Sequence, residues 1–299
     1  MPRHENDEWD IASSVGLTAI GVASGRAIES QRSDRLIVDP YAALLVDASG
    51  VPTPTREPEP GEGQDHELWS NMSTMMGIRT RVFDDFFIEG WREGVTQAVV
   101  LASGLDARAW RLEWPADATV FEIDQPRVLA FKDDVLAKEG AEPRCARRAV
   151  AIDLREDWPA ALEQAGFDRT RPTAWLAEGL LPYLPAEAEE KLLTAVHGLS
   201  APGSRIAVEH ADSLTTVLDS LDSADGWAER LGEQFQVDVA DLFYDNDNRP
   251  RPDTRLTELG WQVTVTNGRE LAIKYGRELF EIAQQFGEHQ RIVTAGLAR

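Results

Sequence analysis

The chain has a single cysteine, Cys145, among its 299 residues. That excludes an intrachain disulfide and a cysteine-rich metal site, and it fits a reducing compartment. Positive charge is also short: 30 lysines and arginines stand against 52 aspartates and glutamates, a formal net charge of −22. Phosphate backbones and anionic lipid repel such a surface, so neither nucleic acid nor a membrane surface is an expected partner. No apolar run approaches the roughly 18 residues a membrane-spanning helix needs. The opening stretch, MPRHENDEWD, is polar and acidic and lacks the basic and apolar regions of a secretory signal. A cytoplasmic location is therefore expected. The histidines, His4, His66, His197, His210 and His289, are scattered without ligand-like spacing, so no metal is expected.

What is present divides at about residue 92. Before it the pattern is helical. Ile11, Val15, Thr18 and Val22 recur at spacings of four and three, predicting a helix over Ile11 to Glu29. A turn at Asp39-Pro40 leads into a short apolar helix, and a longer helix is expected over Leu68 to Gly90. Between them, Val51 to Asp65 carries four prolines, two glycines and several acids. No regular element survives that density, so a mobile loop is expected, either a plain connection or a lid. The first 92 residues thus read as a helical cap and 93–299 as the main domain.

After the cap, apolar strands alternate with helices. The expected strands are Gln97–Ala102, Thr119–Ile123, Ala149–Ile152, Thr173–Ala177 and Arg205–Glu209. Such alternation argues for an α/β fold, a parallel sheet covered on both faces. Near the end, two strand-like runs flank Asn267-Gly268, a hairpin signal that adds an antiparallel finish.

In open α/β sheets ligands bind beyond the carboxyl ends of the strands. The first strand ends in Ala102-Ser103-Gly104-Leu105-Asp106, a turn with one glycine. The second ends at Asp124-Gln125, 20 residues after Gly104, the spacing of an acid that binds ribose hydroxyls. Asp153-Leu154 follows the third strand and Glu178 the fourth. Any one of these acids could merely cap a helix; together they outline a nucleoside site. A dinucleotide would want more glycines and no carboxylate near its pyrophosphate, and Asp106 sits in this turn. A cationic nucleoside without phosphate suits it better, and S-adenosylmethionine has that chemistry. On this reading Asp124 takes the ribose, Asp153 and Leu154 flank the adenine, and the Gly104 turn lies against the amino-acid part. An arginine is still required for the carboxylate.

The segments ASGLDARAWRL, VFEIDQPRVLAFK, AIDLREDWPAAL and AEGLLPYLP, with DRLIVDPYAALLV and IRTRVFDDFF before them, resemble the bacterial branch of the leucine carboxyl methyltransferase family over nearly the whole chain. The resemblance implies a class I, Rossmann-like methyltransferase fold: a mostly parallel seven-stranded sheet, a C-terminal antiparallel hairpin and an N-terminal helical cap. It implies S-adenosylmethionine as cofactor, with contacts at Arg79, Gly104, Asp124, Asp153, Leu154 and Glu178, and Arg81 as the alternative arginine. Ala102, Ser103 and Gln125 fall within the same motifs. Ala102 departs from the family's eukaryotic branch, which has glycine there, and so narrows the room around the cofactor.

The implied reaction is methyl transfer to an oxygen of a small-molecule acceptor. A carboxylate needs no base, whereas a hydroxyl does. His210, at the end of the fifth strand, and Tyr183, after the fourth, are the candidates for such catalysis. Two other readings compete: a nicotinamide-dependent oxidoreductase, and a cofactor-binding module without turnover.

Overall fold

A computed structural model of the chain describes residues 15–61, 65–211, 244, 249–279, 284 and 287–299. Three helices open it. Helix α1 spans Val15–Gln31, α2 Ala42–Ser49 and α3 His66–Arg92. Ile11 lies outside the described residues, so the first helix is seen from Val15 onward. The start of α3 is fixed by Asp65, whose side chain accepts from the Leu68 amide at 2.9 Å. Gly50, in the left-handed region, ends α2.

The sheet follows. Its strands are β1 (Gln97–Leu101), β2 (Thr119–Asp124), β3 (Ala146–Ala151), β4 (Thr173–Ala177), β5 (Arg205–Ala211), β6 (Gln262–Asn267) and β7 (Gln290–Gly296). They lie in the order β3-β2-β1-β4-β5-β7-β6. The first five are parallel, while β7 runs antiparallel to both β5 and β6. β1 and β4 are buried along their whole length, as expected of central strands covered on both faces. Strand order reverses between β1 and β4, and that opens the crevice beyond their carboxyl ends. The intervening helices are α4 (Arg108–Arg111), α5 (Pro126–Lys138), α6 (Trp158–Gln164) and α7 (Ala186–Gly198), followed later by α8 (Pro252–Glu258) and α9 (Gly268–Lys274).

Two hydrophobic clusters cover the faces of the sheet. One joins Ile20, Phe83 and Phe87 of the cap to Val100, Leu176 and Ala207 of the strands. The other gathers Val99, Phe121, Trp175, Ile206 and Val208 with Leu192 and Leu193 of α7. The helical cap therefore shares a core with the sheet.

One expectation changes. Asn267-Gly268 is not a two-residue hairpin turn. Asn267 caps α9: its side chain accepts from the Glu270 amide while Glu270 accepts from the Asn267 amide. This reciprocal capping starts a helix where a strand was expected. The antiparallel end of the sheet is real, but β6 pairs with β7 of residues 290–296. The proline-rich segment lies along the cap. Ser24 donates to the Pro54 carbonyl, Gln31 to that of Thr55 at 2.5 Å, and His66 Nδ1 meets that of Pro58 at 2.6 Å. None of residues 51–61 lines the cavity described next.

Candidate active site

The turn after β1 is tied both to β2 and within itself. Ser103 N–H donates to the Ile123 carbonyl at 3.0 Å and Asp106 N–H to that of Ser103 at 2.8 Å. Ala102 and Gly104 both lie in the left-handed region, at φ +52° and +48°. Glycine enters that region freely and alanine only at a cost, so Ala102 takes a glycine's conformation without being one. The nearest atom to a Cβ placed on Gly104 would be Ala19 Cβ of α1, at 3.9 Å. Backbone and cap thus bound the same space.

Asp124, at the end of β2, completes the turn. Its Oδ2 accepts from Gly104 N–H at 2.6 Å and its Oδ1 from Gln125 N–H at 2.7 Å. Burial raises this carboxyl above the usual carboxylate range, against the lowering effect of the two amides. Gln125 Nε2 then reaches Asp153 Oδ2 at 2.9 Å, linking the ends of β2 and β3. Burial also works to raise Asp153, but bonds from Arg155 hold it below the ordinary value.

Beneath the turn, the fully buried Lys132 donates to the Asp106 carbonyl at 3.0 Å and pairs with Glu122 at 2.8 Å. Burial would raise the Asp106 carboxyl; Arg108, bonded to it, and Lys132 outweigh that and hold it at about 2. Asp106 is therefore a compensated charge.

At the other end of the crevice a chain of ion pairs crosses the site. Asp84 of α3 accepts from Arg108 at 2.8 Å and Arg111 at 2.6 Å. Arg108 Nη1 reaches Glu178 at 2.7 Å, and Glu178 lies 3.2 Å from Arg79 Nη1. Arg79 in turn holds Glu209 of β5 through Nε at 2.9 Å and Nη2 at 2.6 Å. From α1, Arg26 donates to the Leu105 carbonyl at 2.8 Å and to Asp39 at 2.9 Å. The cap is thereby tied to the turn.

These elements enclose a cavity of about 680 Å³, within the range of small-molecule sites. Arg79, Ala102, Ser103, Gly104, Asp124, Gln125, Asp153, Leu154, Glu178 and Tyr183 all line it. Arg81 does not; its Nε bonds Asp85 on an exposed face, so of these two arginines only Arg79 lines the cavity. His210 is buried and does not line the cavity. Alternation along β5 explains this. Ile206 and Val208 enter one core cluster and Ala207 the other, and Glu209, in step with Ala207, reaches the cavity. His210 is thus withheld from the cavity for which it was a candidate base. Sequence reading placed Glu209 beside His210 at the end of the fifth strand but missed Arg108 and the α1 residues Thr18, Ala19 and Arg26. Arg26 meets the turn from 79 residues away in the chain, a separation no local pattern reveals.

One end of the cavity offers carboxylates for hydroxyl groups. The other offers closely balanced charges of both signs, the complement of a zwitterionic amino acid. The donor set therefore fits S-adenosylmethionine.

Comparison with known proteins agrees. A crystal structure of a "putative methyltransferase" from Thermobifida fusca superposes with a TM-score of 0.52 at 16% identity, covering 93% of this chain and 94% of that one. The fold is that of a class I, Rossmann-like methyltransferase. Residues 19–197 match the leucine carboxyl methyltransferase family. A Saccharopolyspora erythraea protein named "Putative S-adenosyl-L-methionine-dependent methyltransferase" is 50% identical over 97% of this chain and 98% of its own. A Mycobacteroides abscessus protein of the same name is 48% identical over 96% and 92%. The chain belongs to the leucine carboxyl methyltransferase family and is an S-adenosylmethionine-dependent methyltransferase. The nicotinamide reading falls away.

Proposed function

We propose that the protein methylates an oxygen, carboxylate or hydroxyl, of a small-molecule acceptor. The observation that carries this reading is the cavity wall formed by α1 and the segment after β4. There Tyr183 OH donates to Thr18 Oγ1 at 3.0 Å, and the wall continues through Leu184, Pro185, Ala188 and Tyr244. An apolar wall with a pair of hydroxyls suits an organic acceptor held by one of its oxygens. The enclosed volume supports a small molecule.

Bound S-adenosylmethionine supplies an electrophilic methyl on a sulfonium. Asp124 would hold the ribose hydroxyls, Asp153 and Leu154 the adenine, and Arg79 the amino-acid carboxylate. Ala102, Ser103 and Gly104 would lie against the chain that bears it, with Gln125 and Glu178 completing the wall. The acceptor oxygen must then sit about 3 Å from the methyl and in line with the departing sulfur, so positioning provides much of the rate. Oxygens of Glu178 and Glu209 are engaged by arginine N–H groups, and a hydroxyl acceptor would need a base. A carboxylate acceptor, already ionised near neutral pH, needs none.

The test is methyl-labelled S-adenosylmethionine offered with carboxylic acids, phenols, alcohols and amines. Alkali-labile label released as methanol marks an ester, and alkali-stable label on oxygen an ether. Either supports the reading. Transfer only to nitrogen or carbon would overturn it.

A further inference from the structure

We infer that Glu209 is a positioning residue that fixes Arg79 edge-on and so sets the affinity for the amino-acid end of the cofactor. One oxygen of this carboxylate is given over to Arg79 and the neighbouring Gly179. Oε2 accepts from Arg79 Nε at 2.9 Å, from Arg79 Nη2 at 2.6 Å and from Gly179 N–H at 2.8 Å. Oε1 accepts from Gln290 Nε2 at 2.7 Å, which ties the carboxylate to the start of β7. The guanidinium has five donors in a rigid fork. With Nε and one N–H of Nη2 taken by Glu209, Nη1 is the group that faces Glu178, at 3.2 Å.

The arrangement solves a problem of competition. Glu178 already receives Arg108 on its other oxygen at 2.7 Å. A loose Arg79 would swing onto Glu178 and occupy the carboxylate best placed for an incoming ammonium. Glu209 limits this: by holding Nε and Nη2 it leaves Arg79 a single Nη1 contact with Glu178, at 3.2 Å, and it spares the rotamer entropy that a free arginine loses when it grips a ligand. Gly179 makes room: a Cβ there would lie 2.6 Å from Arg79 Nη2, at a φ of +60°.

The inference rests on the assignment of Arg79 to the cofactor's amino-acid end. It is tested by calorimetry with two ligands, S-adenosylhomocysteine and methylthioadenosine, the second of which lacks that end. Wild type is expected to prefer S-adenosylhomocysteine. Glu209→Gln should weaken S-adenosylhomocysteine about tenfold or more, the scale of one charge-assisted hydrogen bond, and leave methylthioadenosine unchanged. Gln290→Met, which unties only Oε1, should show a smaller loss of the same selective kind and serves if Glu209→Gln does not fold. Equal weakening of both ligands would show a general structural role and overturn the inference. A full preference retained in Glu209→Gln would overturn it while leaving the Arg79 assignment standing. If wild type binds the two ligands equally, the Arg79 assignment fails and the inference with it.

Discussion

Gly104 N–H and Asp124 Oδ2 meet at 2.6 Å, joining the glycine turn after β1 to the acid that ends β2. The spacing of these two residues in sequence thus becomes a direct bond in the fold. Each carboxylate oxygen accepts more than one hydrogen bond, so Asp124 can hold the turn and a sugar together.

Gly104→Ala places a methyl in the space between the turn and α1, where Ala19 Cβ stands at 3.9 Å. The space admits it, and the left-handed backbone costs about 1–2 kcal/mol. The expected outcome is a folded protein with a modestly lower Tm and a clear loss of S-adenosylhomocysteine affinity. Thermal melts and calorimetry on the same preparation check both parts.

Gly179→Ala acts on the far end. Its Cβ would lie 2.6 Å from Arg79 Nη2, so the guanidinium must leave Glu209. Affinity for S-adenosylhomocysteine should fall while methylthioadenosine still binds. Calorimetry with the two ligands reads the difference.

Lys132→Met removes a fully buried ammonium from Glu122, 2.8 Å away, and from the Asp106 carbonyl. Arg147 alone then compensates Glu122. Breaking a buried pair on one side costs about 3–5 kcal/mol. Urea unfolding should show a loss on that scale, with weaker cofactor binding because the turn loses its support.

Asp106 carries a pH dependence. Its folded value of about 2 lies below the ordinary 3.8. A depressed carboxyl stabilises the folded protein above its unfolded value, and that contribution is lost as pH falls through the folded value. Asp106→Asn should cost about 2 kcal/mol near neutral pH. The gap to wild type should narrow as pH falls from about 5 toward about 3. Denaturant unfolding across that range measures it.

Much of this was legible in the sequence because buried strands of a parallel sheet are short, apolar and sharply bounded. Thr173–Ala177 was placed to the residue for that reason. β3 was read as starting at Ala149 because the edge strand carries Arg147 and Arg148, which an apolar pattern passes over. Asn267-Gly268 misled because the dipeptide serves two structures; Glu270, three residues after Asn267, was the available sign of a capped helix. His210 misled for a subtler reason. β5 is buried on both faces, so its sequence does not show which side of the strand meets the crevice. Arg26 and Thr18 reach the site through tertiary packing of α1, which leaves no local mark.

The central claim is that the crevice beyond β1 and β2 binds S-adenosylmethionine through Asp124. Titration of S-adenosylhomocysteine into wild type and Asp124→Ala, with NADH as the control ligand, tests it most directly. The account predicts saturable binding by wild type, none of NADH, and a loss of about tenfold or more in the variant. No uptake by wild type at millimolar ligand, or an unchanged affinity in Asp124→Ala, would contradict it.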